Sequence, residues 1–285
     1  MKAKVKVKEK KFGGSLIIAK STPPQRRLMV CIPMTGNLRA EWVMARYGQI
    51  IPCNWSLVEH IEWVNTTSPM QFLVADARNL CVNQFLQGGY EWLLFVDHDV
   101  CLHPMFLVWM NEYMVKATVP IISGLYFTKS VPAEPLVYRG RGTGYFDKWK
   151  IGDKVWVDGL PMGCTLIHHS ILETLADEVE TVNIMGRNVK KVFESPTRVF
   201  YDPEKNELRT SVGTEDLEFC TQIMKRDILG KAGWKSLSKK PYPFLIDTKM
   251  FCYHIESNGV KYPAMGEHTK FLSPKQRKIA SQLGY

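Results

Sequence analysis

Apolar residues in this chain fall into short unbroken runs that alternate with stretches of helical spacing. Residues 28–34 (LMVCIPM) form the first run and end near Pro33 and Gly36, which reads as a buried strand followed by a loop. Over 38–48, Leu38, Trp42, Val43 and Ala45 share one helical face, and 58–64 (VEHIEWV) reads as a second strand. Residues 71–87 predict an amphipathic helix with Phe72, Leu73, Leu80, Val82 and Phe85 at its apolar positions, stopped by Gly88-Gly89. Residues 91–96 (EWLLFV) read as a central strand running into VDHDV, 105–115 as a helix and 120–127 as a strand. This β-α-β-α-β order predicts an α/β sheet with parallel pairs.

The second half is less regular. Residues 129–161 are rich in glycine, proline and aromatic residues, which predicts turns or short hairpins and a mobile loop at 139–152. Trp149, Trp156, Tyr145 and Phe146 in that stretch suit stacking on a ligand or hairpin packing equally. GLPMGCTLIHHSILETLAD reads as a glycine-flanked strand entering a helix, and 180–212 as loops and short strands. A helix is expected over 215–229, with Leu217, Cys220, Met224 and Ile228 as its packing face, and a late strand over 244–255 (FLIDTKMFCYHI). No internal repeat is visible.

At 285 residues the chain suits one large α/β domain or two small ones, and 45% hydrophobic with 23% charged residues is ordinary for a globular protein. The net charge of +9 raises a nucleic-acid reading, so its location matters. Six lysines against one glutamate lie in residues 1–12, and four basic residues without an acid lie in 270–285, which accounts for all of it. The basicity therefore belongs to the ends: a basic tail at 1–26 and a basic extension at 257–285, around one catalytic domain at 27–256. Such tails keep a protein soluble, or touch an anionic membrane surface peripherally, or bind nucleic acid. The seven cysteines are odd in number, widely spaced and without a C-x-x-C pair, which disfavours a disulfide framework or structural zinc and favours a reducing, cytoplasmic setting. No apolar run is long enough for a transmembrane helix.

Candidate chemistry starts at VDHDV. Asp97 and Asp99 are two residues apart at a strand end, and an extended chain would turn both carboxylates to one side. Two adjacent like charges beside an apolar core are costly, and manganese or magnesium would offset that cost, since hard cations prefer carboxylate oxygen. His254, after an apolar strand, is the natural third ligand; a satisfied core histidine is the plainer alternative. Glu215 and Asp216 open a helix behind Thr214, where acids complement the helix dipole and where one carboxylate could act as general base. Arg78 and Asn79 in VADARNL could meet a diphosphate, and the glycines of 159–164 (GLPMGC), Gly163 among them, could let backbone N–H groups approach a substrate.

In their order these motifs resemble the GT-A glycosyltransferases, family 2-like members especially. LMVCIPMTGN, ARNL, LLFVDHDV, VDGLPMGCTLIHHSIL, GTEDLEFC and YHI carry the likeness across roughly residues 28–256. The resemblance implies a Rossmann-like, mostly parallel sheet flanked by helices, with a less regular acceptor-binding C-terminal half. It implies Asp99 as main metal ligand, Asp97 on the metal or the ribose, and His254 on the same metal. Pro33, Thr35 and Arg78 would line the nucleotide site, with Asn79 and Gly163 beside it. Asp216 would be the base of an inverting transfer with Glu215 next to it, and loop 139–152 a lid. The donor would be a nucleotide-diphosphate sugar, a UDP-sugar before a GDP-sugar, and the acceptor a glycan, protein, lipid or modified nucleobase. His98 departs from the family pattern and is expected to point away from the metal. Retaining relatives need no base, which would leave Asp216 to bind acceptor. The competing readings are a sugar nucleotidyltransferase, for which MTGNLRAEW lacks a glycine-rich basic phosphate loop, a nucleic-acid binder acting through its tails, and a degenerate transferase used as a binding module.

Overall fold

The computed structural model describes residues 28–52, 64–140, 144–203, 205–264 and 266–282. The basic N-terminal tail lies outside these, as does nearly all of the strand expected at 58–64; the described strand begins at its last residue. In chain order the strands are β1 (Leu28–Cys31), β2 (Val64–Thr67), β3 (Trp92–Val96), β4 (Val100–Cys101), β5 (Ile121–Leu125), β6 (Lys154–Val157) and β7 (Cys164–His168). They continue with β8 (Thr181–Ile184), β9 (Arg187–Lys190), β10 (Thr197–Asp202), β11 (Glu207–Val212), β12 (Phe244–Phe251), β13 (Tyr253–Ile255) and β14 (Lys261–Tyr262).

Seven strands form the central sheet in the order β2-β1-β3-β7-β5-β12-β6. Five of them point one way; β7 and β6 run against the rest. The fold is α/β with a mostly parallel sheet flanked by helices, as expected. One difference is that β7 inserts antiparallel between β3 and β5, which the β-α-β-α-β order had made neighbours. The unbroken apolar runs follow from burial on both faces. Leu93 and Phe95 of β3 enter one core while Trp92, Leu94 and Val96 enter the other.

The helix Val74–Gly88 ends where Gly89 turns left-handed at φ 67°. It starts later than expected, so Phe72 and Leu73 are exposed rather than packed, while Leu80, Val82 and Phe85 are buried. The helix at 215 ends at Lys225, and Phe219, Cys220 and Ile223 form its inner face; Met224 is outside. Asp227, left-handed at φ 52°, starts a separate short helix, Ile228–Lys231. The late strand is broken: the β12 register slips between Asp247 and Phe251, and β13 leaves the main sheet to pair with β4 and β14.

One expectation about the cysteines changes. Cys31 on β1 and Cys81 on the Val74–Gly88 helix form a disulfide, their Cα atoms 6.2 Å apart. Both are apolar core positions that the helix–sheet packing brings together, a proximity their 50-residue separation does not signal. The segment after 256 packs back on the domain. Phe271 stacks on Trp149 with centroids 4.1 Å apart and accepts at its carbonyl from Ile151 N. The described part of loop 139–152 is pinned by the same contacts and by Arg139, which donates to Trp156 O and lies over the Phe146 ring. This replaces the mobile lid, and it places Trp149 in packing. No helix among the described residues is long and apolar enough to cross a membrane.

Candidate active site

The site forms where β3 runs out. Asp97 N donates to Gly163 O at 2.9 Å, and Asp97 O accepts from Trp42 Nε1 at 2.8 Å and from Val100 N at 3.1 Å. Residues 97–100 are thus a turn, so strand alternation does not decide where the side chains go. His98 is the clearest consequence. Its Nδ1 lies 3.2 Å from Pro33 O and its Nε2 3.4 Å from Thr35 Oγ1, so it faces the loop after β1. Pro33, Thr35, Asp97, His98 and Asp99 line one cavity of about 200 Å³. It opens beyond the carboxyl end of a central strand, the usual ligand position in open α/β sheets.

Arg78 lies beneath this cavity, 2% exposed. Its Nη2 donates to both Asp97 oxygens at 3.0 Å and its Nε to Glu215 Oε1 at 3.1 Å, with the Phe95 ring 5.0 Å from the guanidinium carbon. A buried guanidinium thereby joins the end of β3 to the start of the helix Glu215–Lys225, whose Glu215 is 137 residues from Arg78 in sequence. Burial works to lower the Arg78 pKa, but Asp97 and Glu215 outweigh it and the net direction is up. Burial pushes the Asp97 carboxyl up, against the pull of Arg78 and with Asp99 adding to the push. With both oxygens accepting from Arg78, the Asp97 charge already has a partner.

Asp99 belongs to a second group. Its backbone O accepts from Ile255 N at 2.7 Å, and pairing of β4 with β13 sets His254 opposite Val100. His254 Nε2 lies 3.4 Å from Asp99 Oδ2, and Lys129 Nζ donates to the same oxygen at 2.5 Å. Burial opposes ionisation of Asp99, but His254 and Lys129 hold its carboxyl well below the usual range. His254 Nδ1 lies 2.8 Å from Phe127 O. A carbonyl only accepts, so Nδ1 carries a proton, which leaves Nε2 as the ring nitrogen that faces Asp99 Oδ2. A backbone carbonyl on Nδ1 is also how a metal-binding histidine is oriented to offer Nε2.

Among the described residues no group of three or more His, Cys, Asp or Glu side chains gathers around one point. The two side-chain atoms that could meet one cation here are Asp99 Oδ2 and His254 Nε2, 3.4 Å apart. That set fits a manganese or magnesium ion that completes its shell with substrate phosphate and water, the usual way such ions are held at phosphate sites.

Asp216 stands apart from both groups. Its Oδ1 accepts from Leu217 N at 2.8 Å. Burial first and the Glu215 charge second raise its pKa to about 6. Thr214 occupies the N-cap position without a side-chain cap bond. Tyr126 connects the pieces: its hydroxyl accepts from Gly163 N at 2.9 Å and its ring meets His254 edge-on at 5.3 Å. Burial raises the Tyr126 pKa most, and Asp97, Cys164 and Asp216 add to it in that order.

Two expected nucleotide contacts are engaged elsewhere. Asn79 is 1% exposed and exchanges both amide bonds with the Phe193 backbone: Asn79 Nδ2 donates to Phe193 O at 2.9 Å, and Phe193 N donates to Asn79 Oδ1 at 2.8 Å. It ties the helix to the segment between β9 and β10. Gly163 gives its N–H to Tyr126, and a Cβ there would lie 2.5 Å from the Tyr126 oxygen. Its glycine serves close packing behind Asp97. Gly163→Ala is expected to cost about 1–3 kcal/mol in urea unfolding, the usual range for overpacking; an unchanged midpoint would refute that role. Sequence reasoning missed Lys129 and the contacts of Trp42 and His98. Lys129 in FTKS has no local signal, because its partner is chosen by the order of strands.

No family model matches this sequence, and no curated protein matches it. Among solved structures the fold is similar to A197 from STIV, at 17% identity over 82% of this chain and 88% of that one, TM-score 0.49. It is also similar to S. aureus TarS 1-349 in complex with UDP-GlcNAc, at 11% identity over 90% and 65%, TM-score 0.42. A glycosyltransferase involved in glycosylation of the major capsid of PBCV-1 is similar at 12% identity over 52% and 62%, TM-score 0.24.

Proposed function

We propose that this chain is a metal-assisted glycosyltransferase that moves a sugar from a nucleotide-diphosphate sugar, a UDP-sugar first and a GDP-sugar second, to an acceptor hydroxyl with inversion. The observation that carries the reading is the Asp97–Arg78–Glu215 bridge. It ties the turn that carries Asp97 and Asp99, at the edge of the cavity, to the helix that begins with Glu215 and Asp216, which supports reading the two ends as parts of one site.

In this reading Pro33, Thr35 and His98 receive the nucleoside, and Asp97 fixes the ribose side of the cavity while Arg78 holds it in place. Asp99 and His254 would hold the manganese or magnesium ion, which when bound supplies positive charge to the departing diphosphate. Asp216 takes the proton from the acceptor hydroxyl as its oxygen bonds to the anomeric carbon, and the sugar–phosphate bond breaks with its electron pair staying on the diphosphate. A pKa of about 6 fits this role, since the carboxylate is ionised at neutral pH yet more basic than an ordinary aspartate. The acceptor is a hydroxyl on a glycan, protein, lipid or modified nucleobase.

A panel of nucleotide sugars, with and without manganese, tests the proposal by release of nucleoside diphosphate. Turnover is expected with one donor and only with the metal. Asp99→Ala is expected to lose about two orders of magnitude in kcat, comparable to deleting a main electrostatic stabiliser. Full activity of Asp99→Ala, or turnover indifferent to chelator, would refute it.

A further inference from the structure

Lys129 is unused by the mechanism above, yet its ammonium makes the shortest contact at the Asp99 carboxylate. Its Nζ and the His254 Nε2 converge on the same oxygen, Asp99 Oδ2, at 2.5 and 3.4 Å. That oxygen and the His254 nitrogen are the two atoms that would hold the cation, so the ammonium stands in the cation's electrostatic place. The neighbouring backbone explains how it gets there. The chain runs on from β5 to Phe127, whose O takes the His254 Nδ1 proton, and Lys129 follows two residues later. A short loop then closes on itself. Thr128 N donates to Glu134 O at 2.8 Å, Glu134 N to Thr128 Oγ1 at 2.9 Å, and Ser130 Oγ to Pro132 O at 3.0 Å. Lys129 sits at the base of this loop with its side chain 28% exposed, against 24% for Asp99. The pair thus borders the open side of the site, and the lysine stem is free to swing while the loop holds its Cα.

We infer that Lys129 and the divalent cation compete for Asp99 Oδ2, and that the displaced ammonium becomes a ligand of the donor diphosphate. The second half rests on the function proposed above; the first stands without it. A divalent cation and an ammonium drawn to one carboxylate oxygen repel each other, which favours departure of the ammonium as the metal enters. An ammonium a few ångströms from an arriving diphosphate finds a stronger partner there than in water, since charge-assisted bonds to phosphate are among the strong ones. In the absence of metal Lys129 keeps Asp99 neutralised.

The test uses the full chain. Manganese binding without nucleotide is read from the paramagnetic resonance signal of the free ion, and UDP binding at saturating manganese by calorimetry. Lys129→Ala is expected to bind manganese about tenfold more tightly than wild type, because a charge-assisted bond no longer opposes it. The same variant is expected to bind UDP about tenfold more weakly, for loss of one ammonium–phosphate contact. Lys129→Arg should keep both values close to wild type. Lys129→Met preserves the apolar stem and repeats the measurement where the alanine variant does not fold. Unchanged or weaker manganese binding in the folded variants overturns the competition. Tighter manganese binding with unchanged UDP affinity overturns the diphosphate role. Wild-type protein that binds manganese but neither UDP nor GDP refutes the proposed function, while the manganese comparison still decides the competition.

Discussion

Replacing Arg78 by methionine is expected to destabilise the protein by about 3–5 kcal/mol, the usual cost of removing one partner from a buried ion network. The side chain is 2% exposed and its departure leaves Asp97 and Glu215 facing each other across an apolar site floored by Phe95. Burial already disfavours the Asp97 charge, and Arg78 is what opposes that. Arg78→Lys should recover little, because one ammonium cannot fork to Asp97 and reach Glu215 as well. The triple variant Arg78→Met with Asp97→Asn and Glu215→Gln should regain part of the loss, since the uncompensated charges are gone. Urea unfolding at pH 7 measures all three, and a loss under about 1 kcal/mol in Arg78→Met would show that the bridge is not structural.

Asp216→Asn is expected to lower kcat by about 10²–10⁴, the range for removing a general base, with a small change in KM. The amide oxygen can still accept from Leu217 N, so the helix start should persist. The wild-type rate is expected to rise with pH through about 6 and then level off, because only the ionised form accepts the proton. A rate that falls over that interval, or an asparagine variant of unchanged kcat, would remove Asp216 from the chemistry and leave it to acceptor binding. Stability should move the other way. The folded chain holds the Asp216 proton up to about pH 6, against an ordinary value of 3.8. Between those values the folded state binds more protons than the unfolded one, so stability falls as pH rises through the window and stays reduced above it. Asp216→Asn escapes that penalty. It should be more stable than wild type at pH 7.5 by about 1–2 kcal/mol, after allowance for partial exposure, and the gain should vanish below about pH 4, where wild type keeps its proton in both states.

How much of this was legible in the sequence depends on the range of the forces involved. β1, β3 and β5 were legible as unbroken apolar runs, and the end of the Val74–Gly88 helix as a glycine pair, because burial and the left-handed turn act on neighbouring residues. The insertion of β7 was not, since an apolar strand reads the same in either direction. The aspartates of VDHDV stand out in the sequence as a cluster, but strand alternation is not what aims them. A turn does, and it sends Asp97 to Arg78, Asp99 to His254 and His98 to Pro33. Met224 was expected on a packing face that Phe219 and Ile223 occupy, because helical periodicity allows several faces and only the sheet beneath selects one.

By itself, then, the sequence determined which segments form elements, where the charged tails lie, and which acidic side chains stand at strand and helix ends. Only the tertiary structure decided the partners: Arg78 between two carboxylates, Lys129 on Asp99, Asn79 on the Phe193 backbone, Cys31 with Cys81. The physical reason is that secondary structure and burial follow from local spacing, whereas an ion pair depends on the strand order of the sheet, which joins residues 137 apart as readily as near neighbours.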